Sequence, residues 1–296
     1  MTGERFAFGC RMVGPAEKKA LVGAAFDAVA RTYDRANALF SLGIDGLWRR
    51  EGIRRLGLEP GQQVLDVCGG TGALARLAAA RTAPDGLAVV LDLNMAMLAA
   101  GREKDAAAKR KPKTGPIRVS GKAAPTNGES GAAPFSDQDR GPSAFSAERP
   151  GGGAVEWVRG DAEAIPFPTG SFEAVTLGFG LRNIVRLDRA FAEIGRILKP
   201  GGRFMAVEFG RPPNRLIGRL YDFYAFRVMP PAAGLLFGNG RPYRYLAESV
   251  RVFQPPGRTL EMLAEAGFAR TRFRRLTAGL AVLFLADKIE RPRVRP

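Results

Sequence analysis

The run Gln63-Val64-Leu65-Asp66-Val67-Cys68-Gly69-Gly70-Thr71-Gly72-Ala73-Leu74-Ala75 limits the folds open to this chain more than any other stretch. An apolar run carrying an acid near its end passes through three glycines and opens into alanine-rich sequence. That order spells a buried strand, a tight turn and a helix start. Glycine lacks a Cβ, so the turn can take φ > 0 and a ligand can lie against its backbone. A second acid, Asp92, closes the next apolar run, Leu87-Ala88-Val89-Val90-Leu91. An acid at the end of a second strand, about 20 residues past the glycines, is where α/β nucleotide sites hold ribose hydroxyls.

Two cofactor classes use such a site. A dinucleotide fold wants G-x-G-x-x-G, so that the backbone reaches the pyrophosphate. Here the glycines run G-G-T-G, and Asp66 sits inside the strand end. A carboxylate there repels a pyrophosphate and suits a ligand carrying an amine and a sulfonium. S-adenosylmethionine is therefore favoured over NAD. The alternative of a glycine turn with no ligand leaves Asp92 without a purpose.

Composition removes several chemistries. The chain contains no histidine and only two cysteines, Cys10 and Cys68. Histidine triads, histidine metal sites and zinc clusters are excluded, and no metal is expected. A disulfide scaffold is also out, which points to a reducing cytoplasm. No apolar run approaches the ~20 residues that span a bilayer, and residues 1–19 lack the apolar core of a signal peptide. The net charge of +16 asks for an acidic partner, either nucleic acid or anionic lipid, unless the arginines are simply solvated.

Along the chain, residues 1–19 read as a loose tail and 20–60 as helical, with Val22, Phe26, Val29 and Tyr33 at helical spacing. Residues 105–153 are crowded with Pro, Gly, Ser and mixed charge, and read as a disordered insertion. Strands are expected at 154–158, 172–177 and 203–208, with a helix over 187–198 between the last two. Residues 209–258 are aromatic and fit no α/β repeat. A helix at 260–266 and strands at 268–276 and 280–286 close the single domain at 288, leaving 289–296 as a tail. Strand and helix in alternation give a mainly parallel α/β sheet covered on both faces, with ligands at the carboxyl ends of its strands. Those ends carry Asp66, Asp92, Asp161, Gly178 and Glu208.

Several motifs carry a resemblance to a known family. They are Tyr33-Asp34-Arg35-Ala36-Asn37 with Trp48, the glycine turn, Phe179-Gly180-Leu181-Arg182-Asn183, Arg196 to Glu208, and Tyr243-Arg244-Tyr245-Leu246-Ala247-Glu248-Ser249-Val250-Arg251. Together they make the chain resemble, from about Phe26 to Lys288 and leaving out the insertion, the ubiquinone/menaquinone biosynthesis C-methyltransferases. The resemblance implies a class I, Rossmann-like methyltransferase fold: a seven-stranded sheet with a C-terminal antiparallel hairpin and an N-terminal helical lid. It implies methyl transfer from S-adenosylmethionine to a polyprenyl benzoquinol or naphthoquinol, such as 2-demethylmenaquinol. Thr71, Asp92, Asp161 and Ala162 would contact the cofactor. With the residues read directly from the turn and strand ends, the cofactor set becomes Asp66, Gly69, Gly70, Thr71, Gly72, Asp92, Asn94, Asp161, Ala162 and Gly178. The chain departs from the family pattern at Ala73 (usually aspartate), Gly178 (usually serine), Asp45 and Phe284 (usually histidine) and Asp161 (often asparagine in a close relative).

A quinol ring becomes nucleophilic when a hydroxyl proton leaves. A cation near that hydroxyl favours the phenolate, and Arg182 is the expected catalytic cation, with Asn183 orienting the hydroxyl or a water. Tyr33, Asn37, Tyr221 and Tyr245 are the expected substrate contacts, with Tyr221 or Tyr245 available to relay a proton. Arg215, Arg219, Arg227 and Arg241 would face anionic headgroups, so the protein is expected as a cytoplasmic enzyme peripheral to the inner face of the membrane. A homodimer is left open and nucleic acid is not expected, because the basic residues are scattered and do not alternate with aromatics. Three alternatives remain at this stage: a methyltransferase for another lipid or aromatic, a nucleic-acid-binding protein, and a non-catalytic cofactor-binding factor.

Overall fold

The computed structural model describes residues 4–110 and 154–289. Residues 6–13, expected as part of a loose tail, pair as a hairpin of β1 (Phe6–Phe8) and β2 (Arg11–Val13). The hairpin is held from a distance: the Phe8 ring stacks on Tyr245, centroids 4.2 Å apart and planes within 17°. Three-residue strands carry no periodic signal, which is why the sequence alone reads as a tail. Pro15 then opens α1 (Pro15–Asp27), at the first helical position where its missing N–H costs nothing.

Helices α2 (Tyr33–Phe40) and α3 (Ile44–Leu56) complete the N-terminal helical layer. The sheet begins with β3 (Gln63–Val67), followed by α4 (Ala73–Thr82), β4 (Leu87–Asp92) and α5 (Met95–Arg110). The expected insertion therefore starts inside a helix, since 105–110 continue α5. Residues 111–153 lie outside the described residues, as do 290–296. The chain returns as β5 (Ala154–Arg159) and β6 (Phe172–Gly178), then α6 (Leu187–Ile197) and β7 (Leu198–Phe209). The last strand is longer than expected. It takes in Lys199–Gly202, and pairing jumps from Phe172↔Leu198 to Ala174↔Arg203 across those residues.

Residues 209–258 turn out helical: α7 (Arg215–Phe223), a π turn over Tyr224–Val228, α8 (Met229–Phe237) and α9 (Arg241–Val252). Helix α10 (Pro256–Glu265) leads to β8 (Phe268–Leu276) and β9 (Ala281–Lys288). The seven-stranded sheet has the order β5-β4-β3-β6-β7-β9-β8, parallel except for the last two strands, which run antiparallel to their neighbours. The expected sheet, mainly parallel and seven-stranded with a C-terminal antiparallel hairpin, is present.

The order reverses beside β3, because its partners β4 and β6 come from opposite directions of winding. That crevice at the strand ends is where an open α/β sheet accepts a ligand. Both faces of β3 are apolar because both are covered. Leu65 and Val67 pack with Phe191 and Phe204 on one side; Val64 packs with Trp48 and Leu74 on the other. A third apolar cluster ties α2, α8 and α9 together through Ala36, Ala233 and Tyr243, away from the sheet.

Two glycines clamp one ring. A Cβ on Gly101 of α5 would stand 2.2 Å from the Trp157 ring, and one on Gly72 would stand 2.6 Å from it. The indole is pinned from both sides, so it cannot yield to a methyl. Gly101→Ala gains about 1 kcal/mol of helix propensity, but overpacking costs about 1–3 kcal/mol. The clash should prevail: we expect a net loss of stability in urea melts, in contrast to Gly23→Ala on α1, where a Cβ meets nothing within 4 Å.

Candidate active site

The site grows from the turn after β3. Asp66, within that strand, is only 1% exposed, and its carboxylate is fully engaged. One oxygen accepts from Thr176 Oγ1 at 2.8 Å and the other from the Ala75 N–H at 3.1 Å. The second bond caps the first turn of α4, where backbone N–H groups lack helical partners. Next to it, Asp92 accepts from the Gly70 N–H and the Asn94 N–H, each at 2.8 Å. Gly70 meets that carboxylate with φ +55° and Gly72 opens α4 at φ +75°, both in the left-handed region. Asn94 caps α5 by accepting from the Met97 N–H at 2.9 Å.

This arrangement decides the ligand class on chemistry. A pyrophosphate would need free N–H groups at the turn, yet those of Gly70 and Ala75 already donate to the chain's own carboxylates. Asp66 and Asp92 form no ion pair with any described residue. Burial pushes the Asp66 carboxyl up to about 7, against the bonds from Thr176 and Ala75. Burial raises Asp92 as well, against N–H donation from Asn94 and Gly70. One buried and one half-buried carboxylate without counter-charges suit a cationic, hydroxyl-bearing ligand.

Both carboxylates open on a cavity of about 410 Å³, within the range of small-ligand sites. Of the expected cofactor contacts, Asp66, Gly69, Gly70, Thr71, Asp92, Asn94, Asp161, Ala162 and Gly178 line it. Gly72 does not: its place in the motif is explained by its backbone angle and by the Trp157 ring lying against it. Helix α1 forms the opposite wall with Lys19, Val22, Phe26 and Asp27. It is tied down by Lys19, which donates to Asp161 at 2.7 Å, and by Asn94 Nδ2, which donates to Asp27 at 2.8 Å. Lys18 beside it is buried and donates to the Ile184 carbonyl at 3.0 Å. Burial lowers its pKa, partly offset by Glu163.

The expected catalytic pair divides. Asn183 lines the cavity and accepts from the Tyr245 hydroxyl at 2.9 Å. Arg182 does not line it. Its Nη1 donates to Glu208 and to the Phe179 carbonyl, each at 2.6 Å, and its Nε donates to Ser249 at 3.1 Å. Glu208 is 0% exposed, so burying it required a cation, and Arg182 supplies one. The guanidinium is thereby committed to the interior rather than presented to a ligand.

The expected substrate contacts divide as well. Tyr33 lines the cavity, while Asn37 stands one turn further along α2 and away from the lining. Tyr221 and Tyr245 stand behind the wall, and burial pushes each hydroxyl up to about 12 despite the Arg182 charge. At neutral pH they are donors and cannot serve as bases. Arg49, in contrast, faces the cavity from α3. It is held by an ion pair to Asp45, itself bonded to Ser41 Oγ at 2.7 Å, and its guanidinium lies 5.0 Å over the Phe179 ring. Sequence reading misses it because one arginine among 45 basic residues gives no signal.

The model of the ubiE/COQ5 methyltransferase family matches residues 12–130 and 143–288. The chain is 36% identical over 277 residues to the ubiquinone/menaquinone biosynthesis C-methyltransferase UbiE of Pseudomonas savastanoi pv. phaseolicola, covering 93% of this chain and 92% of that one. The enzyme of the same name from Xanthomonas oryzae pv. oryzae is 35% identical over 283 residues, 95% of each chain. Among solved structures, a putative S-adenosyl-L-methionine-dependent methyltransferase of Methanococcus maripaludis superposes with a TM-score of 0.54 at 17% identity, over 90% of this chain and 95% of that one. A SAM-dependent methyltransferase of Thermotoga maritima gives 0.52 at 16%, over 90% and 99%. These two speak for the fold alone.

Two stability predictions follow from the buried charges. The folded Asp66 holds a proton that the unfolded chain releases near 3.8, so the native state loses stability as pH rises from about 4 to about 7. Asp66→Asn should therefore gain on the wild type by roughly 2–3 kcal/mol between pH 5 and pH 8 in urea melts. Asp92, shifted in the same direction, keeps a residual slope. Separately, Arg182→Met strands Glu208 and should cost about 3–5 kcal/mol. Adding Glu208→Gln should restore part of that, read as a recovered melting temperature.

Proposed function

The chain belongs to the ubiE/COQ5 methyltransferase family, and from that premise we propose that it methylates a ring carbon of a polyprenyl quinol in menaquinone or ubiquinone biosynthesis, with 2-demethylmenaquinol as one substrate. The observation that carries the reading is a pair of carboxylates without ion-pair partners among the described residues, Asp66 buried and Asp92 half-buried, on one cavity at the sheet crevice. S-adenosylmethionine, when bound, supplies an electrophilic methyl on a sulfonium. Asp92, with lone pairs left beyond its two N–H partners, accepts the ribose hydroxyls. Asp66 and the backbone at Gly69 and Gly70 take the aminocarboxypropyl end and its positive charge. Asp161 and Ala162 flank the adenine, and Thr71, Asn94 and Gly178 complete the wall.

The quinol then enters beside Phe179, Asn183 and Tyr33. Arg49 lines the cavity with its guanidinium over Phe179, and beside the ring hydroxyl it favours the phenolate, which pushes electron density onto the carbon to be methylated. Its aim is fixed by Asp45 and Phe179, so no reorganisation is needed when charge develops. Asn183, with its carbonyl held by Tyr245, orients the hydroxyl or a water. Arg182 and Glu208 act behind this layer as positioning residues, through Phe179 and Ser249. The hydroxyl proton passes to water, since no neutral histidine exists in the chain and the two tyrosines behind the wall hold theirs. The ring carbon takes the methyl as the methyl's bond to sulfur breaks, the neutral thioether being the leaving group. That carbon then gives up its own hydrogen to water, so that the aromatic quinol is restored.

Purified protein given radiolabelled S-adenosylmethionine should label the ring of the reduced quinol and leave the oxidised quinone untouched; labelling of neither would end the reading. Asp92→Ala should weaken cofactor binding by about 1–3 kcal/mol in calorimetry. Arg49→Met, made in an Asp45→Asn background to avoid stranding a carboxylate, should lower kcat by ~10²–10³ with cofactor affinity nearly unchanged. The deficit should shrink as pH rises and hydroxide generates the phenolate. Wild-type turnover in that variant would remove Arg49 from the chemistry.

A further inference from the structure

The helical stretch from Arg215 to Phe237 wears its apolar residues on the outside. Leu216, Leu220 and Phe223 recur at i, i+4 and i+7 on α7 and are 67%, 62% and 63% exposed. After the π turn, Leu235 near the end of α8 is 87% exposed. The inward stripe is already satisfied, since Ala225, Met229 and Ala233 are buried against Ala36, Tyr243 and Ala247. A helix that buries one face and shows leucine and phenylalanine on the other has a second partner to meet.

The patch continues onto the N-terminal helices. Phe40 of α2 packs against Phe237 at 6.1 Å, and the Tyr224 hydroxyl donates to the Phe40 carbonyl at 2.9 Å. Leu42, two residues past Phe40, is 83% exposed. The apolar surface therefore spans two separate parts of the chain at one end of the molecule. The cluster beneath it includes Phe26 and Tyr33, which also line the cavity. One apolar layer joins this outer surface to the site.

Charge identifies the occupant. Between residues 209 and 247 stand Arg211, Arg215, Arg219, Arg227, Arg241 and Arg244, all exposed, against a single acid, Asp222. That acid is taken by Arg251 at 2.8 Å. Leucine and phenylalanine interleaved with arginine, with the one acid already paired, is the pattern of a helix lying in the interface of an anionic bilayer. Among the described residues no helix is long and apolar enough to cross a membrane, so this one rests on it.

We propose that the outward face of Arg215–Phe237, with Leu42, is the surface by which this protein docks on anionic lipid. The leucines and Phe223 enter the acyl boundary while the arginines extend their stems along them and place the charge at the headgroups. The docked orientation sets the apolar layer around Tyr33 and Phe40 against the lipid. Resting on the quinol reading above, this lets the ring reach the cavity while the polyprenyl tail stays in apolar surroundings.

The test is co-sedimentation of the full chain with phosphatidylcholine vesicles, with and without phosphatidylglycerol. It is paired with sedimentation velocity and with turnover on a water-soluble short-tail quinol and a vesicle-held long-tail quinol. Wild type should partition onto the anionic vesicles. Leu216→Gln/Leu220→Gln/Leu235→Gln should lose at least tenfold in partition, and Arg215→Gln/Arg219→Gln about fivefold per arginine, on anionic vesicles only. Both variants should keep short-tail turnover and lose long-tail turnover. A wild type that is a dimer, made monomeric by the leucine substitutions and indifferent to vesicles, would assign the face to a second copy and overturn the proposal. Absence of vesicle binding with short-tail turnover intact would also overturn it, leaving the quinol reading in place. Vesicle binding lost in the leucine variant, with neither quinol methylated, would uphold the docking face and sink the quinol reading instead.

Discussion

Asp66 is a charge placed where the fold can satisfy its hydrogen bonds but not its electrostatics. Its two oxygens take a hydroxyl from β6 and an N–H from the first turn of α4, so one side chain binds the central strand to a neighbouring strand and to the helix that follows. Hydrogen bonding makes the burial tolerable. Burial nonetheless raises the carboxyl to about 7, and it lines an open cavity. The turn geometry, the start of α4 and the preference for a cationic ligand all depend on this one placement. Asp92 repeats the device one strand over, holding Gly70 on one side and the start of α5 on the other.

The two arginines near the cavity show how burial assigns roles. Arg182 stands in the more distinctive motif, yet Glu208 behind it has no other route to charge balance in a fully buried position. A guanidinium that neutralises a buried carboxylate cannot be redirected without stranding it. Arg49 is anchored at one nitrogen and stacked on Phe179, which fixes its direction while leaving donors toward the cavity. The aromatic cluster of Trp48, Phe179 and Phe209 links the two, with Arg49 over Phe179 and Arg182 over Phe209 at 5.3 Å.

The helical layer over the strand ends serves two surfaces at once. Its inner side closes the cavity, with Lys19 tied to Asp161 and Asn94 tied to Asp27. Its outer side, through α2, meets the α7–α8 stretch whose exposed leucines are unexplained by the core. A substrate with a polar ring and a long apolar tail needs both kinds of environment within its own length. The apolar layer containing Phe26, Tyr33 and Phe40 provides continuity between them.

The sequence alone determined whatever depends on near neighbours in the chain. The glycine turn needs positive φ at fixed positions, and alternating apolar runs and helices leave only a covered parallel sheet. Hence the sheet and its C-terminal antiparallel strands were legible, and nine of the ten residues expected at the cofactor line one cavity. Tertiary structure decided whatever depends on partners far away. The N-terminal hairpin exists because Phe8 meets Tyr245, 237 residues later, and no local pattern announces it. Gly72 looks like a ligand contact in the motif but is spent on Trp157. Arg182 and Arg49 carry the same charge and each pairs with a buried carboxylate, and a string of letters cannot say which guanidinium the fold turns wholly inward. That difference is set by Glu208 on β7, 26 residues from Arg182 along the chain, because a buried charge is neutralised by whatever the fold brings beside it.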